Sequence, residues 1–150
     1  MRLKSKYPET MEYRSSSEWD GETGGIATVS NDHKIVYGTP KIFGGQGKGS
    51  CPDELFVSAV LGCLNNTFLD FQRKFEMELK IFTLKGVTTA LFDGEKYKIT
   101  GMLVSGEVIV GEDELETGER CVELMKEYCH LTRTIKDCLP IHYDISVREE

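Results

Sequence analysis

One segment limits the folding options of this 150-residue chain more than any other. From Pro52 to about Phe75 the sequence reads as a single long helix. Pro52 suits the first helical position, where its missing N–H would be unpaired anyway. Asp53 and Glu54 follow, setting negative charge against the positive end of the helix dipole. Leu55, Ala59 and Cys63 recur at i, i+4, and Phe56, Val60, Leu64 and Phe68 form a second such row. The helix is therefore apolar around most of its circumference from 55 to 64, which is the pattern of a buried helix. Gln72, Arg73 and Lys74 turn its far end polar. A helix that apolar is hard to cover within one small chain, and the pattern predicts an intertwined dimer.

The flanking segments have a different period. Residues 12–30 read as a β-hairpin turning at Gly21–Gly25. Asn31-Asp32 makes the next tight turn, and Lys34–Tyr37 continues as a third short strand. Residues 38–50 (GTPKIFGGQGKGS) carry the composition of a mobile loop. After the helix, 78–91 and 96–110 are rich in β-branched and aromatic residues and flank Phe92-Asp93-Gly94, a hairpin turn signal. Residues 112–128 predict a second helix, weakened by Gly118. Residues 130–138 predict a short third one, ended by Pro140. Ile141, Tyr143, Ile145 and Val147 alternate as a closing strand. Strands and helices are segregated along the chain, which predicts an α+β fold in a single domain over residues 1–150.

Composition removes several function classes. Asp and Glu outnumber Lys and Arg by 25 to 18, which argues against sequence-independent nucleic-acid binding. No apolar run approaches the length of a membrane span. The start, MRLKSKYPET, is basic but lacks the apolar stretch of a secretory signal. These features predict a cytoplasmic protein whose thiols are reduced at rest.

Five cysteines stand at 51, 63, 121, 129 and 138. An odd number in a reducing compartment does not suit a disulfide framework, and there is no CxxC pair or zinc-finger spacing. Small buried hydrophobes are the default reading of free thiols. Two positions invite more. Cys129 precedes the short helix, with His130 beside it and Arg133 one turn on, surroundings that lower a thiol pKa. Cys63 lies mid-helix on an apolar face, where burial would raise its pKa. A pair of cysteines remote in sequence suits peroxide reduction: one thiolate becomes a sulfenic acid and the other resolves it as a disulfide. Apolar surroundings would favour organic hydroperoxides. A Cys129/His130/Cys138 zinc cluster lacks a fourth ligand. The glycine-rich stretch 44–49 lacks the GxxxxGK[ST] spacing of a phosphate loop. His142 reads as a solvent-facing strand residue.

Three stretches, in order, resemble the OsmC/Ohr family of osmotically inducible and organic hydroperoxide resistance proteins. Trp19-Asp20-Gly21 followed by Thr28-Val29-Ser30 is similar to the family's W-x-G … TVS hairpin. FGGQGKGSCPDELFVSAVLGC (43–63) resembles its glycine-rich loop and the helix bearing its reactive cysteine. EYCHLTRTIKDCLPIHYDISV (127–147) resembles its CPxS helix and last strand. The resemblance implies antiparallel sheets packed around a long buried central helix, in an intertwined homodimer. It places Cys63 on the peroxide-attacking cysteine, Cys129 on the resolving cysteine, and Asp53 on a helix-start glutamate that helps hold a catalytic arginine. It implies a thiol-dependent peroxidase that passes through a Cys63 sulfenic acid and a Cys63–Cys129 disulfide. Such an enzyme has no metal or bound cofactor and is reset by an external dithiol. No nucleic-acid or membrane partner is implied.

Some positions depart from that pattern. The first turn reads Gly21-Glu22-Thr23-Gly24-Gly25, without the family arginine; Arg14 does not align with it, and Lys48 or a basic residue of another subunit is left as a substitute. Asp53 is one methylene shorter than glutamate. Cys51 replaces an asparagine, His130 a proline and Thr132 a serine. These departures motivate an alternative: a protein of the same fold that binds an apolar small molecule and has weak or no peroxidase activity. In a third reading all five cysteines are inert and the protein serves interactions.

Overall fold

The computed structural model describes residues 7–150. The basic start read above for a leader lies, from Met1 to Lys6, outside the described residues. The described residues form two compact units, one ending at Pro52 and the other spanning Asp53–Glu150.

The first unit is an antiparallel sheet of three short strands, β1 (Ser16–Trp19), β2 (Gly24–Thr28) and β3 (Lys34–Gly38), in that order. Asp20 builds the first turn by accepting, at Oδ1, the backbone N–H groups of Glu22 (2.8 Å) and Gly24 (3.1 Å), as short acidic side chains do in turns. Asn31 and Asp32 form the second, both at φ 58°, a left-handed conformation that Asn and Asp tolerate better than other non-glycine residues. The glycine-rich stretch is a loop, as expected, but it is pinned along its length. Gly38 N–H donates to Ser50 O (3.1 Å), Ser50 N–H to Val36 O (3.0 Å) and Gly47 N–H to Thr39 O (3.0 Å). Gly49 sits at φ +67°, and a Cβ there would lie 2.4 Å from Val36 O, so no other residue fits without rearrangement.

Helix α1 spans Pro52–Lys74, opening at the last residue of the first unit, and leads within the second into the hairpin β4 (Leu79–Phe92) and β5 (Tyr97–Val110). Asp93 Oδ1 closes that hairpin by accepting the N–H groups of Glu95 and Lys96, each at 2.9 Å. Helices α2 (Leu115–Tyr128) and α3 (His130–Ile135) then return the chain to β6 (Ile141–Glu149). The sheet order is β4-β5-β6. One expectation is corrected here. The second sheet is mixed, because β6 pairs parallel to β5 from Met102↔Ile141 to Val110↔Glu149. The helical crossover carries the chain back to the end where β5 began, and a strand that follows such a crossover runs parallel to its neighbour.

The core lies between this sheet and the helices. Val60, Leu64 and Phe68 of α1 meet Met102, Val104, Val108 and Val110 of β5 and Cys121, Val122 and Met125 of α2 in one buried cluster. Phe68 stacks on Phe82 of β4, ring centroids 4.1 Å apart. Gly118, which argued against α2, has a packing reason. A Cβ there would meet Val147 Cγ1 at 2.9 Å and Val110 Cγ1 at 3.0 Å, and its absence lets the helix approach the sheet. The packing gained offsets glycine's lower helix propensity, which costs roughly 1 kcal/mol relative to alanine.

The burial of α1 also differs from expectation. Only Val60, Leu64 and Phe68 are fully buried, Leu55, Phe56, Val57 and Leu61 are half-buried, and Ser58, Ala59, Gly62 and Asn66 are exposed. One chain covers one face of the helix and leaves the face of small residues open.

Candidate active site

Cys63 is held near the middle of α1, on the edge of its buried row. The break between α2 and α3 brings the second thiol to it. Cys129 has extended backbone angles (φ −61°, ψ 113°), so it caps the end of one helix and starts the next. Its N–H donates to Met125 O (3.1 Å), and its carbonyl accepts from Arg133 N–H (3.0 Å) and from the Thr132 hydroxyl (3.1 Å). Thr132 is itself buried, and so fills its position with its one hydroxyl satisfied. Cys129 is completely buried, whereas Cys63 is partly exposed, and both thiols are free.

The Cys129 thiol lies close enough to Cys63 to act on its titration. Burial, the larger influence, pushes the Cys63 thiol above its ordinary value, and the neighbouring Cys129 thiol adds to the effect. The backbone N–H groups of Leu131 and His130, at the start of α3, oppose it by donating to Cys63 sulfur. Hydrogen bonds of this kind favour the thiolate, while burial favours the neutral thiol.

His130 is the site residue that the sequence placed differently. Reading along the chain pairs it with its neighbour Cys129. In the fold its imidazole turns to Cys63, with Nδ1 3.5 Å from Sγ. Successive residues of a helix point about 100° apart, so adjacency in sequence says little about which group a side chain meets. Among the described residues of one chain, His130 is the basic side chain recorded in contact with the Cys63 sulfur.

The other expected residues are dispersed. Asp53 lies in the first turn of α1, ten residues before Cys63 and therefore roughly 15 Å from it along the helix axis. Lys48 bonds to Glu22 (Nζ–Oε2 2.8 Å) within the first unit. That hydrogen bond is the chief reason the Glu22 carboxyl sits below its usual range and the Lys48 ammonium above its own. Arg14 pairs with Glu12. Cys121 is a buried core thiol, but Cys138 is exposed and its sulfur meets Ile135 O at 3.2 Å, so the filler reading holds for the first and not the second. His142 faces solvent on β6, as its strand position predicts. The described residues contain no group of three or more His, Cys, Asp or Glu placed to hold a metal ion, and no helix among them is long and apolar enough to cross a membrane.

Comparison with known proteins agrees with this architecture. The family model described as OsmC-like protein matches residues 45–144, and the chain belongs to that family. Solved structures share the fold over almost the whole chain at low identity. The OsmC-like protein from Mycoplasma pneumoniae is 13% identical with a TM-score of 0.77, covering 91% of this chain and 97% of its own. The organic hydroperoxide resistance protein OsmC from Legionella pneumophila is 16% identical at 0.72, covering 96% and 100%. An organic hydroperoxide resistance protein from Elizabethkingia anophelis is 12% identical at 0.71, covering 94% and 100%. No curated protein matches the sequence.

Proposed function

We propose that this protein reduces organic hydroperoxides with Cys63 and Cys129 and serves in defence against oxidative stress. The observation that carries the reading is that the fold brings these two thiols near enough for one to influence the other, although they lie 66 positions apart in sequence. Cys63 sulfur attacks the terminal oxygen of the hydroperoxide. The O–O bond breaks, an S–O bond forms, and the alcohol departs with the thiol's proton, so that the sulfur is oxidised by two electrons as the peroxide is reduced. The Cys129 thiol then attacks the sulfenic acid, forming a Cys63–Cys129 disulfide and releasing water. An external dithiol reduces the disulfide and returns both thiols. The chain needs no bound cofactor for this cycle. The likeness to organic hydroperoxide resistance proteins favours an organic over a hydrophilic peroxide.

The test is stoichiometric. One equivalent of cumene hydroperoxide added to reduced protein should lower the free thiols from five to three per chain, with a Cys63–Cys129 linkage found by peptide mass spectrometry. An unchanged thiol count sinks the reading. A second reading, an apolar small-molecule binder of the same fold, is favoured by one observation: Lys48, the candidate cation of the loop, is engaged by Glu22. It predicts ligand binding with all five thiols retained.

We also propose that the working form is a homodimer in the cytoplasm. The open face of α1, made of Ser58, Ala59, Gly62 and Asn66, permits close approach of a second helix. Sedimentation equilibrium should give about twice the 16.9 kDa chain mass; a monomer at micromolar concentration would refute the assembly.

A further inference from the structure

His130 has no task in the thiol cycle described so far, yet it touches the reacting sulfur. Cys63 is a partly buried thiol, and attack on a peroxide requires it to lose a proton. The N–H groups of α3 can steady a thiolate, but they cannot accept its proton. An acceptor must have a free lone pair within reach. With its proton on Nε2, the imidazole presents such a lone pair at Nδ1, 3.5 Å from Cys63 Sγ, a length in keeping with the larger radius of sulfur. The ring is exposed and makes no salt bridge among the described residues, so it is open to exchange protons with solvent between turnovers.

We propose that His130 is a catalytic acid–base: it takes the Cys63 proton as the sulfur attacks and delivers it to the departing alkoxide. This rests on the peroxidase reading above. The balance closes within one step. The S–H bond breaks as Nδ1–H forms, the S–O bond forms as O–O breaks, and Nδ1–H then breaks as the alcohol O–H forms. The products are a Cys63 sulfenic acid, an alcohol and neutral His130. The titratable group that acts on Cys63 beside His130 is the Cys129 thiol at the α2–α3 break; the Tyr143 hydroxyl of β6, which bonds to Thr132, acts on Cys129 in turn.

The experiment compares wild type with His130→Gln, a change at an exposed ring whose backbone alone holds α3. Cys63 reaction rates are followed by peptide mass spectrometry from pH 7 to 8.5, with cumene hydroperoxide and separately with iodoacetamide. With a base in place, the wild-type rate should be nearly flat with pH. Without it, the His130→Gln rate follows the thiolate fraction and rises about tenfold per pH unit below the thiol pKa. At pH 7 the variant should be about a hundredfold slower, at the lower end of general-base effects, and the gap should narrow as pH rises. Equal rates and slopes with both reagents overturn the role of His130 while leaving hydroperoxide reduction intact. If the slopes differ with iodoacetamide but neither protein consumes hydroperoxide, His130 is the base of Cys63 and the peroxidase reading is what fails.

Discussion

Replacing Cys63 with serine should reduce dithiol-dependent hydroperoxide turnover by about a thousandfold or more, as expected when the nucleophile itself is removed. The serine hydroxyl is far less acidic and less polarisable, and it cannot pass through a sulfenic acid. Cys129→Ser should behave differently. Its Cys63 should still react once with hydroperoxide, but with no second thiol the sulfenic acid persists and excess peroxide carries it on to the sulfinic acid. Mass spectrometry should then find two added oxygens on the Cys63 peptide and no linkage. Because Cys129 is completely buried and forms the joint between α2 and α3, folding of each variant is checked by circular dichroism. Wild-type turnover in a folded Cys63→Ser protein would remove Cys63 from the chemistry altogether.

Phe68→Ala should cost about 3–5 kcal/mol of stability, the usual range for truncating a fully buried aromatic ring. The ring is fully buried and stacks on Phe82, and it ties the buried row of α1, next to the row that carries Cys63, to the sheet beneath. Its loss leaves a cavity with partners on both sides. Phe75→Ala is the control, since that ring is half exposed at the helix end, and it should cost no more than about 1 kcal/mol. Urea unfolding at one fixed protein concentration compares them. A drop below about 1.5 kcal/mol for Phe68→Ala would mean that α1 is not anchored through this ring.

Local signals in the sequence were enough for the elements and poor for their partners. Pro52 and the acidic first turn mark the start of α1, and Asn31-Asp32 and Asp93-Gly94 mark turns, because each acts on its own backbone. The alternation from Ile141 to Val147 marks β6 as a strand with one buried face. It carries no information on whether that strand runs with or against β5, which depends on where the crossover delivers it. The apolar girth of α1 overstates its burial within one chain, where only Val60, Leu64 and Phe68 are fully buried. For the site, Cys63 and Cys129 stand out because each lies in a motif. The turn of His130 toward Cys63 rather than Cys129 is set by helix phase across 67 positions and has no local signature. The Lys48–Glu22 pair, 26 positions apart, is equally a product of strand register.

The parallel pairing of β6 with β5 bears on how the thiol pair arises. Met102 faces Ile141 across the ladder, and Cys129 lies on the connection between them. Pairing between segments so remote requires a large loop to close first, which makes it slow to form. During synthesis Cys63 emerges well before Cys129 and waits, unsheltered, until that closure occurs. In this interval all five thiols are free, and the fold does not yet hold Cys63 and Cys129 side by side. The thiol pair is thus a late product of folding, because it is assembled only when the crossover closes and β6 docks on β5.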